Sequence, residues 1–320
     1  MMDSPPLPHS ILTPQSALSP PVWADDPELS PRSCDEATLT NELYRPVEFI
    51  RGDGRLPLVL SCPHAGRDYP QVMLEAAACS LDAMRGLEDF GVDQLVHGFA
   101  AEGVSCMVNQ IARAYCDVNR PADALDAAMF TGPVDAAAAT SRHVKSGYGI
   151  IPKLTADRVP LYRNRLEAAE AATRIARVHT PYHTILSNEL NQVRQHMDRA
   201  ILLDLHSMPA TDRLGRRLPD IVLGDCLGTT LNRPIANQIE QYFTEQGLSV
   251  AWNHPYAGGY ITRQNGRQNS PIQSMQIEIN RGLYMATNRR IMDPEGTARM
   301  GDIMHGFAIH LANMCDGGLL

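Results

Sequence analysis

The stretch AILLDLHS, residues 200–207, decides the fold of this chain. Five of its first six residues are apolar, and such a short, nearly continuous run predicts a strand that is buried on both faces of a parallel sheet. Asp204 and His206 lie two residues apart, so in an extended strand their side chains point to the same side. The stretch therefore predicts a central strand that ends in polar, reactive side chains.

Apolar runs and amphipathic stretches alternate on both sides of this strand. They predict further strands over residues 56–62, 104–111, 220–223, 248–252 and 274–279. Helical spacing covers residues 81–102, 161–197, 232–246 and 293–313, with a kink or break expected at Pro181. The alternation predicts an α/β fold with a mixed, mainly parallel central sheet that helices flank on both faces.

The composition fits one large folded domain. The chain has 320 residues and 44% hydrophobic content, so we expect residues 41–320 to form a single domain. Residues 1–40 are rich in proline, serine and acids, which predicts a poorly ordered arm. The net charge of -8 argues against a nucleic-acid partner. No apolar run reaches the ~18 residues that a membrane span needs.

The cysteines and the N-terminus predict a cytoplasmic protein. Seven cysteines are scattered along the chain and none forms a CxxC pair, which is typical of reduced thiols and argues against a cysteine-based zinc site. The first residues lack the basic and apolar regions of a secretory signal.

Two histidines stand where strands end, which is where open α/β sheets bind ligands. His64 follows the run LPLVLSCP, and His206 follows AILLDL. Two imidazoles from two strand ends can share one metal ion, and Asp204 can accept a hydrogen bond from an imidazole N–H. The alternative is that both histidines are structural and that Asp204 caps a helix.

A catalytic zinc site needs a third protein ligand. Glu88, Asp89 and Asp93 in LEDFGVDQL and Asp68 in HAGRDY are the candidates. On a helix, Asp89 and Asp93 would share one face because they are four residues apart. The alternative is an acidic first helical turn that complements the helix dipole.

Glu278 lies inside the otherwise apolar strand SMQIEIN. A carboxylate there is costly unless it is paired or functional. Near a metal it can take a proton from water and pass it to a leaving nitrogen. The alternative is a glutamate on an exposed face of the sheet.

A cationic segment follows the second strand. Arg113, Asn119 and Arg120 lie in ARAYCDVNRP, and arginine binds a carboxylate with two parallel hydrogen bonds. The segment predicts an anionic substrate, although surface arginines are the alternative. Weaker candidates of the same type are Arg67, Arg263 and Arg281.

The segment GGYIT, residues 258–262, offers glycines for close backbone approach and a threonine hydroxyl. It predicts either a substrate contact or an ordinary turn. The chain has no GxSxG, P-loop or HExxH motif and no GxGxxG after a strand, which removes the main support for serine-hydrolase, kinase and nicotinamide enzymes.

Nine strings in order resemble the successive motifs of the N-formylglutamate amidohydrolases. They span roughly residues 44 to 310 and read LVLSCPHAGRDYP, LEDFGVDQLV, RAYCDVNRPADALD, SGYGIIPK, PYHTIL, LLDLHSMP, LPDIVLGD, NHPYAGGYITR and QIEINRGLYM. The resemblance implies a fold like that of the zinc carboxypeptidases and hydrolysis of an N-acyl bond next to a free α-carboxylate.

The resemblance also implies the roles of individual residues. Zinc is expected on His64, Asp89 and His206, with Asp93 as a rival ligand. Both acids lie in the string LEDFGVD, to which the acidic ligand maps. The carboxypeptidase pattern instead has an acid three residues after the first histidine, where this chain has Arg67.

The remaining roles follow in the same way. Glu278 matches the general base, and Arg113 resembles the arginine that polarises the scissile carbonyl. Asn119 and Arg120 resemble the pair that holds the substrate carboxylate. The expected lining of the side-chain pocket is Gly259, Tyr260 and Thr262.

The expected reaction is zinc-dependent removal of the acyl group, formyl in the first instance, from an acidic amino acid such as N-formyl-L-glutamate. The partner is thus a small molecule. Three alternatives remain: a related deacylase with another substrate, a carboxypeptidase, and a zinc-free protein that binds an acidic metabolite.

Overall fold

The computed structural model describes residues 30–34, 46–286, 290–316 and 318. Most of the expected N-terminal arm, residues 1–29 and 35–40, lies outside this part of the chain. Within the arm, Arg32–Cys34 forms a short strand that pairs in parallel with Asp68–Pro70.

The strands of the described residues are numbered in chain order. They are β1 Arg32–Cys34, β2 Val47–Ile50, β3 Leu58–Cys62, β4 Asp68–Pro70, β5 Ser105–Asn109, β6 Phe130–Thr131, β7 Leu166–Glu167, β8 Ala200–Met208, β9 Ile221–Gly224, β10 Val250–Trp252 and β11 Ile272–Asn280.

The main sheet has seven strands in the order β10-β9-β11-β8-β3-β5-β2. The four central strands β11, β8, β3 and β5 are parallel, whereas β9 runs antiparallel to β11 and β2 antiparallel to β5. The stretch AILLDLHS forms most of β8, which lies at the centre of the sheet. The predicted mixed, mainly parallel α/β sheet is confirmed.

The α-helices are α1 Gln71–Ala76, α2 Leu81–Arg85, α3 His97–Ala101, α4 Arg142–Lys145, α5 Ala168–Arg174, α6 Thr180–Met197, α7 Arg233–Glu245, α8 Tyr260–Asn265 and α9 Pro294–Asp316. Short 3-10 helices cover Val92–Val96, Ala127–Met129 and Arg281–Leu283, and a π-helical turn covers Ile175–His179. Within the described segments, no helix combines the length and apolarity that crossing a membrane requires.

Helices cover both faces of the sheet, and successive side chains of each central strand point to opposite faces. On one face, Leu203 of β8 packs in a core with Ile239 of α7 and Phe307 of α9. On the other face, Leu202 packs in a second core with Leu186 of α6. By the same alternation, Asp204 and His206 lie on the α6 face.

The helix predicted over residues 81–102 is wrong: the structure has α2, a loop, a 3-10 turn and α3 there. Gly91 breaks it with a φ of +70°, in the left-handed region. A Cβ at this position would stand 2.5 Å from Met292 Sδ. A hydrogen bond from Asp89 N to His64 O at 3.0 Å holds the loop. Asp89 and Asp93 therefore do not share a helix face.

The helix predicted over residues 161–197 begins at Ala168, because residues before it are irregular or pair as β7 with β6. Pro181 causes no break. It occupies the start of α6, directly after the π-helical turn Ile175–His179. A proline lacks an N–H and its ring crowds the carbonyl four residues earlier. The wider π turn accommodates both effects without ending the helix.

Candidate metal and active site

Three side chains from separate parts of the chain converge at the carboxyl ends of β3 and β8. His64 lies two residues beyond β3, Asp89 lies in the loop after α2, and His206 lies near the end of β8. All three are buried, and one ligand atom from each lies within 4.8 Å of the others. Asp89 Oδ2 is 2.9 Å from His206 Nδ1 and 3.5 Å from His64 Nδ1. The structure thus brings together the three predicted metal ligands.

A carboxylate contacts the Nε2 atom of each imidazole and orients the ring. His64 Nε2 donates to Asp117 Oδ1 at 2.7 Å, and His206 Nε2 lies 3.1 Å from Asp204 Oδ2. Asp204 is itself held by a 2.9 Å hydrogen bond from Ser61 Oγ. These contacts turn the Nδ1 atom of each ring toward the cluster, which is how metal-ligating histidines are commonly fixed.

The cluster has the donor set of a divalent metal site. His64 Nδ1 is buried and has no hydrogen-bond partner among the described residues. Because Nε2 carries the proton given to Asp117, Nδ1 presents a lone pair with nothing to accept. A buried polar atom in that state is unusual without a ligand. Two imidazole nitrogens and one carboxylate suit zinc and leave a position open.

The charges of the cluster are strongly coupled. Burial alone would raise the pKa of Asp89, but the hydrogen bond with His206 and the nearby ring of His64 outweigh it and hold this pKa well below its usual range. Burial likewise opposes the charged form of His206, but the carboxylates of Asp204 and Asp89 hold its pKa well above the ordinary value. Asp89 is therefore an anion that attracts positive charge.

The rival acids have other partners. Asp93 accepts two hydrogen bonds from Arg67, at 3.0 Å and 2.7 Å. Glu88 is bonded to Arg85 and to the Tyr69 hydroxyl. Asp93 thus forms a buried ion pair with Arg67. Of Glu88, Asp89 and Asp93, it is Asp89 that lies within 3.5 Å of both histidines.

Glu278 lies on β11 directly opposite His206 on β8 in the parallel register. Its side chain is 6% exposed, so it does not lie on an open face of the sheet. Gln276 Nε2 donates to Glu278 Oε1 at 2.7 Å. Burial raises the pKa of Glu278 to about 7, so its carboxyl group can both hold and release a proton near neutral pH.

Arg113 and His64 are joined through one carboxylate. Arg113 Nε donates to Asp117 Oδ2 at 2.9 Å, while Asp117 Oδ1 accepts from His64. Burial disfavours ionisation of Asp117, but the charges of Arg113 and Arg120 hold its pKa well below the usual range. Asp117 therefore remains ionised between the ring and the two guanidinium groups.

Asn119 and Arg120 are held by the protein itself. Asn119 Oδ1 accepts from Ile261 N at 2.8 Å, and its Nδ2 is 3.1 Å from His206 Nε2. Arg120 donates from Nε to Tyr148 O at 3.0 Å and from Nη1 to Asn119 O at 2.7 Å. The structure brings Asn119 next to the histidine cluster, with Arg120 held beside it through Nε and Nη1.

The predicted pocket segment packs against Asn119. A Cβ at Gly259 would stand 2.4 Å from Asn119 Nδ2, so only glycine permits this approach. Tyr260 begins α8 and lies with its ring 5.4 Å from that of His183. Thr262 is fully buried, and its Oγ1 has no hydrogen-bond partner within the described segments.

Sequence reasoning missed two residues of the site and ranked a third too low. Asp117 stands inside the quoted string RAYCDVNRP, and its acidic side chain was the available signal. Arg281 Nη2 donates to Asp89 Oδ1 at 3.1 Å and to Glu88 O at 2.6 Å. Burial, together with the charges of Glu278 and Asp89, raises the pKa of Tyr256 to about 12, and no sequence signal pointed to this phenol.

The chain is similar to known proteins over most of its length. The family model described as N-formylglutamate amidohydrolase matches residues 56–285. An N-formylglutamate deformylase of Pseudomonas aeruginosa is 31% identical over 242 residues, which cover 72% of this chain and 83% of that protein. The N-formylglutamate deformylase of Pseudomonas putida is 29% identical over 240 residues, with the same coverage of 72% and 83%.

Solved structures resemble the chain as well. An N-formylglutamate amidohydrolase from Ralstonia eutropha JMP134 superposes with a TM-score of 0.79 and 32% identity, over 85% of this chain and 99% of that one. A protein from Agrobacterium tumefaciens superposes with a TM-score of 0.61 over 85% of this chain and 96% of its own. Its identity is 16%, so that likeness concerns the fold alone.

Proposed function

This chain belongs to the N-formylglutamate amidohydrolase family, and on that premise we propose that it hydrolyses N-formyl-L-glutamate with one zinc ion held by His64, Asp89 and His206. The family predicted from the sequence is confirmed, and the chain is an amidohydrolase. The proposal adds the substrate, the metal and the residues that act. The substrate is the one that the relatives' names give.

The observation that carries the zinc proposal is the unsatisfied Nδ1 of His64, buried beside Asp89 and His206. A bound zinc ion would polarise the scissile carbonyl and lower the pKa of a coordinated water toward about 7. Asp117 and Asp204 would keep both imidazoles facing the ion. Arg281 would hold Asp89 in place through its 3.1 Å hydrogen bond to Oδ1.

Glu278 is the proposed acid and base. Its carboxylate accepts the proton of the attacking water as the oxygen adds to the formyl carbon. The same carboxyl group then gives that proton to the amide nitrogen while the C–N bond breaks. The products are formate and L-glutamate. The pKa of about 7, raised by burial, supports both half-reactions at neutral pH.

The arginines are the proposed anion sites. Arg113, fixed through Nε by Asp117, stabilises the negative charge that develops on the carbonyl oxygen. Arg120 orients the α-carboxylate. Its Nε and Nη1 are bonded to backbone carbonyls, so Nη2 is the atom proposed to reach the substrate. Asn119 contributes an N–H beside His206, and the amino acid side chain is placed against Gly259, Tyr260 and Thr262.

The proposal extends to the domain organisation, the fold and the cellular location of the enzyme. One domain over residues 41–320 is supported by the single main sheet that joins β2 to β11. Kinship with the zinc carboxypeptidase fold is supported by the mixed sheet and by histidines at the carboxyl ends of β3 and β8. A cytoplasmic location is supported by the cysteines, since those described are free thiols.

The deciding experiment measures metal content and formate release with the purified protein. We expect about one zinc per chain and turnover of N-formyl-L-glutamate, with much slower turnover of its α-methyl ester. A panel of N-acetyl amino acids separates the related deacylases, and a peptide with a free C-terminus separates a carboxypeptidase. Stoichiometric binding of an acidic amino acid without zinc and without turnover would contradict the proposal and favour a metabolite-binding protein.

A further inference from the structure

His179, the last residue of the π-helical turn, and His183, in the first turn of α6, both reach the loop that carries Asn119. His183 Nε2 lies 2.8 Å from Val118 O, and His179 Nε2 lies 2.9 Å from Arg120 O. A carbonyl oxygen only accepts, so each ring donates from Nε2. The two acceptor carbonyl groups belong to the residues immediately before and after Asn119, so the two histidines hold the backbone on both sides of Asn119.

The two histidines form one unit. Their ring centroids are 4.3 Å apart, which follows from the four-residue spacing on a helix. Burial lowers the pKa of both rings, that of His183 to about 4, so both remain neutral donors at neutral pH. The Tyr260 ring packs on the pair at 5.4 Å and 6.2 Å, which extends the contact to the segment after Gly259.

Further hydrogen bonds hold the loop that carries Asn119. Asn119 N donates to Asp117 Oδ1 at 2.9 Å. Asn119 Oδ1 accepts from Ile261 N, and Asn119 Nδ2 lies 3.1 Å from His206 Nε2. The backbone oxygen of Asn119 accepts from Arg120 Nη1. A shift of the carbonyls on either side would therefore move Asn119, Arg120 and Asp117 together relative to the metal ligands.

From these contacts we infer that His179 and His183 are positioning residues, which set where Asn119 and Arg120 stand relative to His206 and the substrate. They act through the carbonyl groups of residues 118 and 120. The inference rests on the proposed function, because it assigns those two residues a substrate to hold.

The test replaces His183 in two ways in the zinc-loaded enzyme. His183→Phe keeps a ring but removes the donor, whereas His183→Gln keeps an N–H near the position of Nε2. We expect the phenylalanine variant to lose roughly tenfold or more of kcat/KM, mainly through KM, at unchanged zinc content. The glutamine variant should recover most of that loss. His196→Phe, on the exposed side of the same helix, is the matched control.

A merely structural role predicts something else. Both variants would then lower Tm while kcat/KM of the folded protein stayed at the wild-type value, and that result would overturn the inference. So would equal impairment of the phenylalanine and glutamine variants. Should His183→Phe fail to fold, the pair His179→Phe and His179→Gln repeats the comparison at the carbonyl of Arg120.

A crystal structure of each variant separates this inference from the proposed function. If wild-type protein releases no formate, the proposed function fails, but the coordinates still decide the inference. We expect His183→Phe to move Asn119 Nδ2 about 1 Å or more from its place beside His206, and His183→Gln to leave it in place. An unmoved Asn119 in both variants would overturn the inference.

Discussion

Glu278 and His206 occupy paired positions on the adjacent parallel strands β11 and β8. Both side chains lie on the α6 face of the sheet, where Gln276 and Asp204 precede them by two residues. The pairing places the proposed proton acceptor beside a proposed metal ligand without any loop between them. Strand registry therefore fixes the distance between these two side chains more rigidly than a loop would.

The choice of Asp89 over Asp93 is directly testable. Asp89→Asn should lower zinc content and activity together, because the Asp89 carboxylate reaches both histidines. Asp93→Asn should keep zinc and lose thermal stability, because it breaks a buried ion pair with Arg67. Metal analysis of the two purified variants makes the comparison, and zinc loss confined to Asp93→Asn would reverse the assignment.

Removal of the proposed base should separate binding from chemistry. Glu278→Gln preserves the shape of the side chain and an oxygen for the bond from Gln276. We expect full zinc content, a KM near that of the wild type, and a kcat reduced roughly 10²- to 10⁴-fold. Steady-state kinetics of formate release give both constants. Wild-type kcat in this variant would remove Glu278 from the mechanism.

Asp117 should tune the metal through His64. Asp117→Asn replaces the anion that accepts from His64 Nε2 and that also receives Arg113. Loss of such a partner typically weakens metal binding about 10- to 100-fold. Zinc competition with a chelator measures the change, and Asp123→Asn in the same loop is a control. Equal zinc affinity in the wild type and Asp117→Asn would show that the carboxylate only holds the loop.

The raised pKa of Glu278 has a measurable effect on the stability of the metal-free protein. Because its pKa is about 7 when folded and 4.5 ordinarily, the folded state binds more protons between these values. Stability from this group therefore falls as pH rises through that window. Glu278→Gln lacks the penalty, so the Tm of the variant minus that of the wild type should increase from pH 5 to pH 8. An equal Tm difference at pH 5 and at pH 8 would contradict the raised pKa of Glu278.

The sheet and the two histidines were predictable because they depend on local pattern. Buried strands such as β3 and β8 leave short apolar runs, and the residue after a run marks the end of the strand. His64 and His206 followed from that rule, and the family resemblance singled out Asp89 from its neighbours. The alternation in β11 left the burial of Glu278 undecided, because alternation alone does not tell which face another element covers.

The loop around Asp89 was not predictable from spacing. Apolar residues at Leu87, Val92, Leu95 and Phe99 keep a helical rhythm even though the backbone leaves the helix at Gly86 and turns at Gly91. The hydrogen bond between Arg67 and Asp93 joins residues 26 positions apart, and the one between Asn119 and Ile261 joins residues 142 positions apart. Such contacts arise only once the chain has folded.

The strand order also bears on how the protein matures on the ribosome. β11 is the last strand of the main sheet to be synthesised, yet it lies between β8 and β9. Until it emerges, β9 and β10 have no link to the rest of the sheet, and Glu278 is missing from its place beside His206. A nascent chain that stops before residue 272 therefore lacks the strand that joins β9 and β10 to β8, and it lacks the carboxyl group that stands opposite His206.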